Sequence, residues 1–253
     1  MNINLTGKIA LVTGSSGELG RVIARTLAAC GADVALHYFQ NQSRAEQVLA
    51  DVQALGRRAC LVRADVSLPA DVIAMRDTVE QALGSPDIVV TNAVSQYSWK
   101  RILEQDPADY EDQFRSSVLH NVLMAQTFAP AMIRKRWGRI IGINTECAMQ
   151  NLPTQSAYVA GKRGMDGVLR VLAREIGEHG VTVNQVAPGW TISERDRLAG
   201  SEKNAEYDKK VPLRHRGEDC DIANAVAFLA SDLARFITGV YLPVCGGNVM
   251  PAI

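Results

Sequence analysis

Ile9-Ala10-Leu11-Val12-Thr13-Gly14-Ser15-Ser16-Gly17-Glu18-Leu19-Gly20 is the stretch on which the fold turns. A short apolar run passes directly into a turn with glycines at positions 14, 17 and 20, and then into a helical pattern. A continuous run, rather than one alternating with polar residues, is expected of a strand covered by helices on both faces. Glycines at such a strand-to-helix turn permit tight backbone geometry and let N–H groups and a helix N-terminus approach a phosphate. Gly14, Ser16, Gly17, Leu19 and Gly20 are therefore candidate contacts to the pyrophosphate of a dinucleotide.

Outward from this turn the same alternation continues. Further apolar runs are Val34-Ala35-Leu36-His37-Tyr38, Cys60-Leu61-Val62, Ile88-Val89-Val90, Ile140-Ile141-Gly142-Ile143, Val181-Thr182-Val183 and Tyr241-Leu242-Pro243-Val244. Helical stripes lie between them. Ala45, Val48, Leu49, Val52 and Leu55 follow 3.6-residue spacing, Ser43-Arg44-Ala45-Glu46 reads as a capping box, and Gly56 closes the far end. Ile222, Val226 and Leu229 form another stripe after polar Asp219-Cys220-Asp221. Strand-helix-strand repetition with right-handed crossovers predicts an α/β chain with a doubly wound parallel sheet (a Rossmann fold), as one domain over 1–253. Ser193 to Lys210 is too polar for core and predicts a mobile flap over a site, spanning 190–212.

Composition narrows the function. With 253 residues, 47% apolar and 21% charged, the chain suits one large globular core. Its 27 basic and 27 acidic side chains cancel, which argues against a nucleic-acid partner. No apolar run approaches the ~18 residues needed to cross a bilayer, so no membrane partner is expected. The start lacks a secretory pattern. Five well-separated cysteines have no metal-ligand spacing and read as reduced thiols of a cytoplasmic protein with no metal.

Tyr158-Val159-Ala160-Gly161-Lys162 sets a phenol and an amine one helical turn apart on one face. A phenol with pKa near ~10 exchanges protons poorly at neutral pH, and a nearby ammonium stabilises its phenolate. Glu146 reads as a solvated loop charge or a pocket acid, and Trp190 as packing or a substrate platform. His37 reads as a ligand donor or as a satisfied histidine at a strand end.

The glycine turn resembles the Thr-Gly-x-x-x-Gly-x-Gly signature of the short-chain dehydrogenase/reductase family, and Tyr158 to Lys162 resembles its Tyr-x-x-x-Lys pair. The resemblance runs along essentially the whole chain. Asp65-Val66 matches the pair that contacts adenine, and Asn92-Ala93 matches Asn-Ala-Gly with Val94 in place of the glycine. Pro188-Gly189 with Thr191 matches the segment along the nicotinamide. Glu218 to Asp232 and the ending Ile237-Thr238-Gly239 to Gly246-Gly247 look like bacterial 3-oxoacyl-acyl-carrier-protein reductases.

The resemblance implies hydride transfer between a nicotinamide and a small carbonyl or alcohol. Tyr158 would be the acid/base, Lys162 its activator, and Thr145 would stand for the family's serine. Ser117 falls where the family has asparagine; Asn121 lies one turn later and would break register with Gly138-Arg139-Ile140-Ile141. Glu18 occupies the middle glycine position, where a carboxylate suits a pyrophosphate only if it points to solvent or to a cation. Pteridine reductases of the same family carry a large residue there. Tyr38 takes the place of the acidic residue that selects NAD(H), and His37, Asn41, Ser43 and Arg44 offer donors, so NADP(H) is favoured over NAD(H).

Gln96, Glu146 and Trp190 are the candidate substrate contacts. Arg136 matches one of two carrier-protein docking residues, whereas His179 replaces the other. The closing segment implies a homotetramer. Enoyl reductase branches separate tyrosine and lysine further. The competing reading, favoured by Glu18, Val94, Ser117 and Thr145, is a non-catalytic dinucleotide-binding sensor or assembly protein.

Overall fold

Each apolar run becomes a strand, and the side chains show why the runs are continuous. In the computed structural model, which describes residues 2–251, β1 (Ile9–Val12) sends Ala10 and Val12 to one face of the sheet and Leu11 to the other. Both faces are roofed by helices, so no position along the strand can be polar without a buried partner. The remaining strands are β2 (Asp33–Tyr38), β3 (Ala59–Arg63), β4 (Ile88–Thr91), β5 (Gly138–Ile143), β6 (Val181–Pro188) and β7 (Tyr241–Val244). They form one seven-stranded sheet in the order β3-β2-β1-β4-β5-β6-β7, every neighbouring pair parallel. The chain winds outward from β1 in one direction and from β4 in the other. The crevice at the carboxyl ends of β1 and β4 is thus the switch point where such sheets bind ligands.

One face carries α1 (Glu18–Ala29), α2 (Gln42–Ala54) and α10 (Asp219–Ala230), whose Ile23, Leu27, Val48, Val52, Ile222 and Val226 are buried on it. The other carries α3 (Pro69–Ala82), α5 (His120–Lys135) and α7 (Ser156–Ile176), contributing Met75, Val79, Phe128, Met132, Met165 and Leu169. α4 (Pro107–Gln113) runs through a π-helical turn at Phe114–Leu119 into α5. α6 (Cys147–Gln150) is a single turn after β5. Among the described residues no helix is long and apolar enough to cross a membrane.

Two of the boundaries that differ from the sequence reading have a clear physical cause. The start of α2 is capped by Asn41, whose side chain accepts the Arg44 N–H at 3.1 Å, rather than by a box beginning at Ser43. Asn41 lies one residue ahead of the helix with its oxygen in reach of that free donor. Gly56 does follow the helix, at φ +72°. β6 extends well past Val183 because polar Asn184 and Gln185 are paired within the sheet and its edges: Asn184 Nδ2 donates to Ile237 O at 2.8 Å, and Gln185 Nε2 to Asp166 Oδ1 at 2.8 Å.

The polar stretch expected to be a flap folds into α8 (Glu194–Ala199) and α9 (Ala205–Lys210). Buried Arg216 holds it, donating to the carbonyls of Trp190, Thr191, Ser201 and Glu202 and to the Asp196 carboxylate. A single guanidinium thus gathers four otherwise loose carbonyls.

His120, at the start of α5, is 1% exposed, and burial pushes it from 6.5 down to about 3. The unfolded chain therefore binds a proton that the folded chain refuses between those values, so stability falls as pH drops from about 6.5 towards 3. Unfolding by urea should lose about 2 kcal/mol from this group between pH 8 and pH 5, above most carboxylate titration. His120→Asn should flatten that part of the curve, and an unchanged slope would contradict this assignment.

Candidate active site

The glycine turn is pinned from three elements. Gly14 has φ +65°, a left-handed value that favours glycine. Its N–H donates to His37 Nδ1 at 2.9 Å, at the end of β2. Its carbonyl accepts Asn92 Nδ2 at 3.2 Å, just beyond β4. A Cβ on Gly20 in α1 would sit 2.2 Å from that same carbonyl oxygen, so the first turn of α1 packs here only without a side chain. Thr13 Oγ1 accepts the backbone N–H groups of Asn92 at 2.8 Å and Ala93 at 3.1 Å.

These contacts correct one expectation. His37 is 1% exposed; its Nδ1 accepts from Gly14, and its Nε2 lies 3.0 Å from Ala64 O. Both ring nitrogens are used inside the protein, and burial lowers its pKa, so His37 is a satisfied neutral histidine rather than a donor to a phosphate. Asn92 and Ala93 likewise brace the turn. Near them, Asp65 Oδ1 accepts from the Ser67 N–H and hydroxyl, Val66 is buried, and Tyr38 ends β2. Ser16 and Gly17 are half-buried in the turn, and Leu19 lines the groove beyond it.

Glu18 points to cations. Arg21 Nη2 contacts its Oε2 at 2.7 Å and Arg44 Nη2 its Oε1 at 2.9 Å. Arg21 also pairs with Glu194 of α8, tying the first turn of α1 to the folded flap. The extra carboxylate at the glycine position is thereby neutralised rather than presented to a phosphate.

Two cavities meet over β5 and α7. A groove of about 340 Å³ runs past Glu18, Leu19, Asn92, Val94, Lys162 and Pro188. A second cavity, of about 750 Å³, is walled by Tyr97, Trp99, Glu146, Leu152, Tyr207 and Asn248, with Gln96 at its exposed rim. Thr145, Tyr158, Gly189 and Trp190 line both. Thr191 lines the groove and turns its hydroxyl to Gly189 O at 3.0 Å.

The catalytic candidates stand at this seam. Lys162 is 3% exposed; its Nζ donates to Ile143 O at 2.6 Å and lies 5.8 Å from the centre of the Tyr158 ring. Burial pushes its ammonium down to about 8. Burial also raises Tyr158, Cys147 adds in the same sense, and the Thr145 hydroxyl opposes both. Thr145 Oγ1 accepts the Cys147 N–H at 3.2 Å, which leaves its own hydrogen free to donate. Trp99 stacks on Tyr158 at 6.1 Å, and the Tyr158 N–H donates to the Tyr97 hydroxyl at 2.9 Å.

Ser117 lies in the π-helical turn, 1% exposed, its hydroxyl without a partner among the described residues. Asn121 is committed elsewhere: its Nδ2 donates to Ser117 O at 2.7 Å and its Oδ1 accepts Thr91 Oγ1 at 2.6 Å. Glu146 is 4% exposed, which makes it a pocket acid rather than a solvated loop charge. Sequence reading missed Tyr207, Asn248, Arg216 and His120. Besides Gln96, Glu146 and Trp190, the aromatic spacing of Tyr97 and Trp99, soon after Asn92, is a further signal for the cavity wall.

The groove fits a dinucleotide: a glycine turn cleared of side chains at Gly14 and Gly20 opens α1 at the switch point, and a buried lysine stands where the groove meets the cavity. Residues 14–248 match the family model described as enoyl-(acyl carrier protein) reductase. The 3-oxoacyl-[acyl-carrier-protein] reductase FabG of Staphylococcus epidermidis is 37% identical over 96% of this chain and 99% of its own length. That of Escherichia coli K12 is 35% identical over 98% of this chain and 100% of its own. Among solved structures, the reductase LugOII of lugdunomycin biosynthesis superposes with a TM-score of 0.90 at 30% identity, covering 98% of this chain and 100% of that one. A blue fluorescent protein from a metagenomic library, in complex with NADPH, gives 0.89 at 35% identity over 98% and 100%. The glycine turn, the Tyr158–Lys162 helix and these full-length matches agree, and the chain belongs to the short-chain dehydrogenase/reductase family.

Proposed function

We propose that the protein is an NADP(H)-dependent oxidoreductase that interconverts a small carbonyl compound and its alcohol, with Tyr158 as acid/base. The observation that carries this reading is the seam: Tyr158 and Thr145 line both the substrate-sized cavity and the groove that holds Lys162. The turn from Gly14 to Gly20, Asp65 and Val66, and Pro188, Gly189 and Thr191 would hold a nicotinamide dinucleotide, which would supply the hydride. The rest is work of this chain. The Thr145 hydroxyl and the Tyr158 phenol donate to the carbonyl oxygen and orient it. As that oxygen gains charge it takes the phenol proton, and the Lys162 ammonium stabilises the phenolate left behind. The unpartnered Ser117 hydroxyl, buried in the helix beside α7, suits a relay that returns a proton through Lys162.

The one-turn spacing of Tyr158 and Lys162 supports reduction of a carbonyl over reduction of an enoyl double bond. Arg136 Nη2 is engaged with Glu178 O, and His179 stands beside Glu178, which supports a free carbonyl substrate over a carrier-bound one. An apolar groove along α5 and α7, lined by Ala125, Ala129, Ile133, Val168 and Val171, supports the homotetramer implied by the closing segment. The segment over 190–212 acts as the flap above this site.

Tyr158→Phe keeps the ring and deletes the hydroxyl. Reduction of a panel of aldehydes and ketones, followed at the nicotinamide absorbance, should fall ~10²- to 10⁴-fold with cofactor binding nearly intact. Equal turnover by the variant would refute the mechanism, and cofactor binding with no substrate at all would favour the sensor reading.

The pH profile carries a second test. Lys162 titrates at about 8, so its charge is present below that value and lost above it. Reductive kcat/KM should therefore decline as pH rises through about 8, whereas Lys162→Arg, if active, should remove that inflection.

The Tyr38 position lacks a carboxylate, and Arg44, Asn41 and Ser43 sit at the head of α2. Calorimetric titration should show NADPH binding more tightly than NADH, with Arg44→Ala narrowing the gap by on the order of tenfold. Tighter binding of NADH would overturn the cofactor assignment.

A further inference from the structure

The larger cavity contains a buried carboxyl group that no cationic side chain meets among the described residues. Glu146 is buried in its wall, and each carboxylate oxygen takes a hydrogen bond from a neutral group: Oε1 from the Tyr207 hydroxyl at 2.9 Å, Oε2 from Asn248 Nδ2 at 3.0 Å. The other groups that act on it, the Trp190 backbone and Gln150, are neutral as well. Of the remaining charged residues on the cavity wall, Glu206 and Lys210 lie one turn apart on the exposed side of α9 and offset each other. The interior of the cavity thus holds one carboxyl group, pushed up in pKa by burial, with no cationic side chain against it among the described residues. A buried carboxylate is costly unless a cation accompanies it.

A second observation points the same way. Gln155 lines the cavity, is buried, and its Oε1 accepts no hydrogen bond among the described residues. Gln155 Oε1 is thus a buried acceptor at this wall in want of a donor. Around them stand Tyr97, Trp99, Trp190 and Tyr207, and Trp190 already holds the Arg216 guanidinium 4.8 Å from its ring. Aromatic faces beside a carboxylate are the chemistry that binds amines and quaternary ammonium groups.

We propose that this cavity selects carbonyl compounds carrying a cationic nitrogen, with Glu146 as the specificity-determining residue. The assignment rests on the carbonyl-reductase reading for the reaction, but the binding of the cation stands apart from it. Glu146 also ties together three segments, the loop after β5, α9 and the chain near Asn248, so the test must separate recognition of charge from tethering.

Phenyltrimethylammonium and tert-butylbenzene have nearly the same shape and differ in charge. Quenching of the cavity tryptophans should show the cation binding on the order of tenfold or more tightly. With NADPH present, 4-(trimethylammonio)benzaldehyde should exceed 4-tert-butylbenzaldehyde in kcat/KM by more than the intrinsic reactivity of the two aldehydes. Glu146→Gln preserves size and one acceptor oxygen, and both ratios should shrink towards those set by intrinsic reactivity alone. A wild-type protein that binds both probes equally overturns the proposal, whether or not the variant folds. So does a variant that weakens both probes alike and leaves the ratio intact, because that is the behaviour of a tether. Reduction of the neutral aldehyde through Tyr158 without preference for the cation would leave the reaction standing and remove this inference. Glu146-dependent cation binding with neither aldehyde reduced would do the reverse.

Discussion

The backbone of Gly14 is the constraint on which the rest of the molecule depends. Its N–H is taken by His37 from β2 and its carbonyl by Asn92 beyond β4, and Gly20 of α1 presses against the same carbonyl. Three elements therefore have to agree on the position of one residue and of the two peptide groups that flank it. That agreement fixes how α1 leaves the sheet and where its free N–H groups point. It also requires His37 to be neutral, since Nδ1 must accept; burial maintains that state by disfavouring the charged ring. A cofactor groove built this way is set by packing before any ligand arrives.

Around the turn, charge is arranged to permit what the glycine signature would ordinarily avoid. Glu18 at the mouth of the groove would repel a pyrophosphate, yet Arg21 and Arg44 hold both of its oxygens. Further in, Lys162 has no carboxylate partner among the described residues; its Nζ donates to the Ile143 carbonyl, and burial lowers its pKa. An ammonium made more acidic thus stands beside a phenol made less acidic. On the proposed mechanism, negative charge forming on the phenol oxygen gains more from that ammonium in a low-dielectric seam than it would in water.

The sheet is legible because parallel strands roofed on both faces are apolar at nearly every central step, as β1, β2, β4 and β5 are. β6 reads short because Asn184 and Gln185 look like loop residues, and partners such as Ile237, Val240, Asp166 and Asn144 make them tolerable inside a sheet. Tyr158 and Lys162 were legible because their relation is local, one turn of a single helix. For His37 the choice between ligand donor and satisfied histidine stays open in the sequence, which does not reveal that both ring nitrogens are already spent. Tyr207, Asn248 and Arg216 were not legible at all: Asn248 reaches Glu146 across 102 positions and Tyr207 across 61, and no periodicity records such distances.

Two departures from the family pattern, Glu18 and Ser117, and the buried Glu146 differ in how their surroundings receive them. Glu18 and Ser117 are absorbed by their surroundings, the first by two guanidinium groups and the second by a helical turn that keeps a buried hydroxyl beside α7. Glu146 is not absorbed. It follows Thr145 directly, so the backbone that carries the hydroxyl at the seam also carries the cavity's buried carboxyl group. Its other contacts reach into α9 and to Asn248, the parts of the chain that close the cavity from outside. On the proposed reading, a ligand group that meets this carboxyl group is felt at once by the cavity wall and by Thr145. Selection of the substrate and placement of its carbonyl would then be coupled through a single peptide bond, between Thr145 and Glu146.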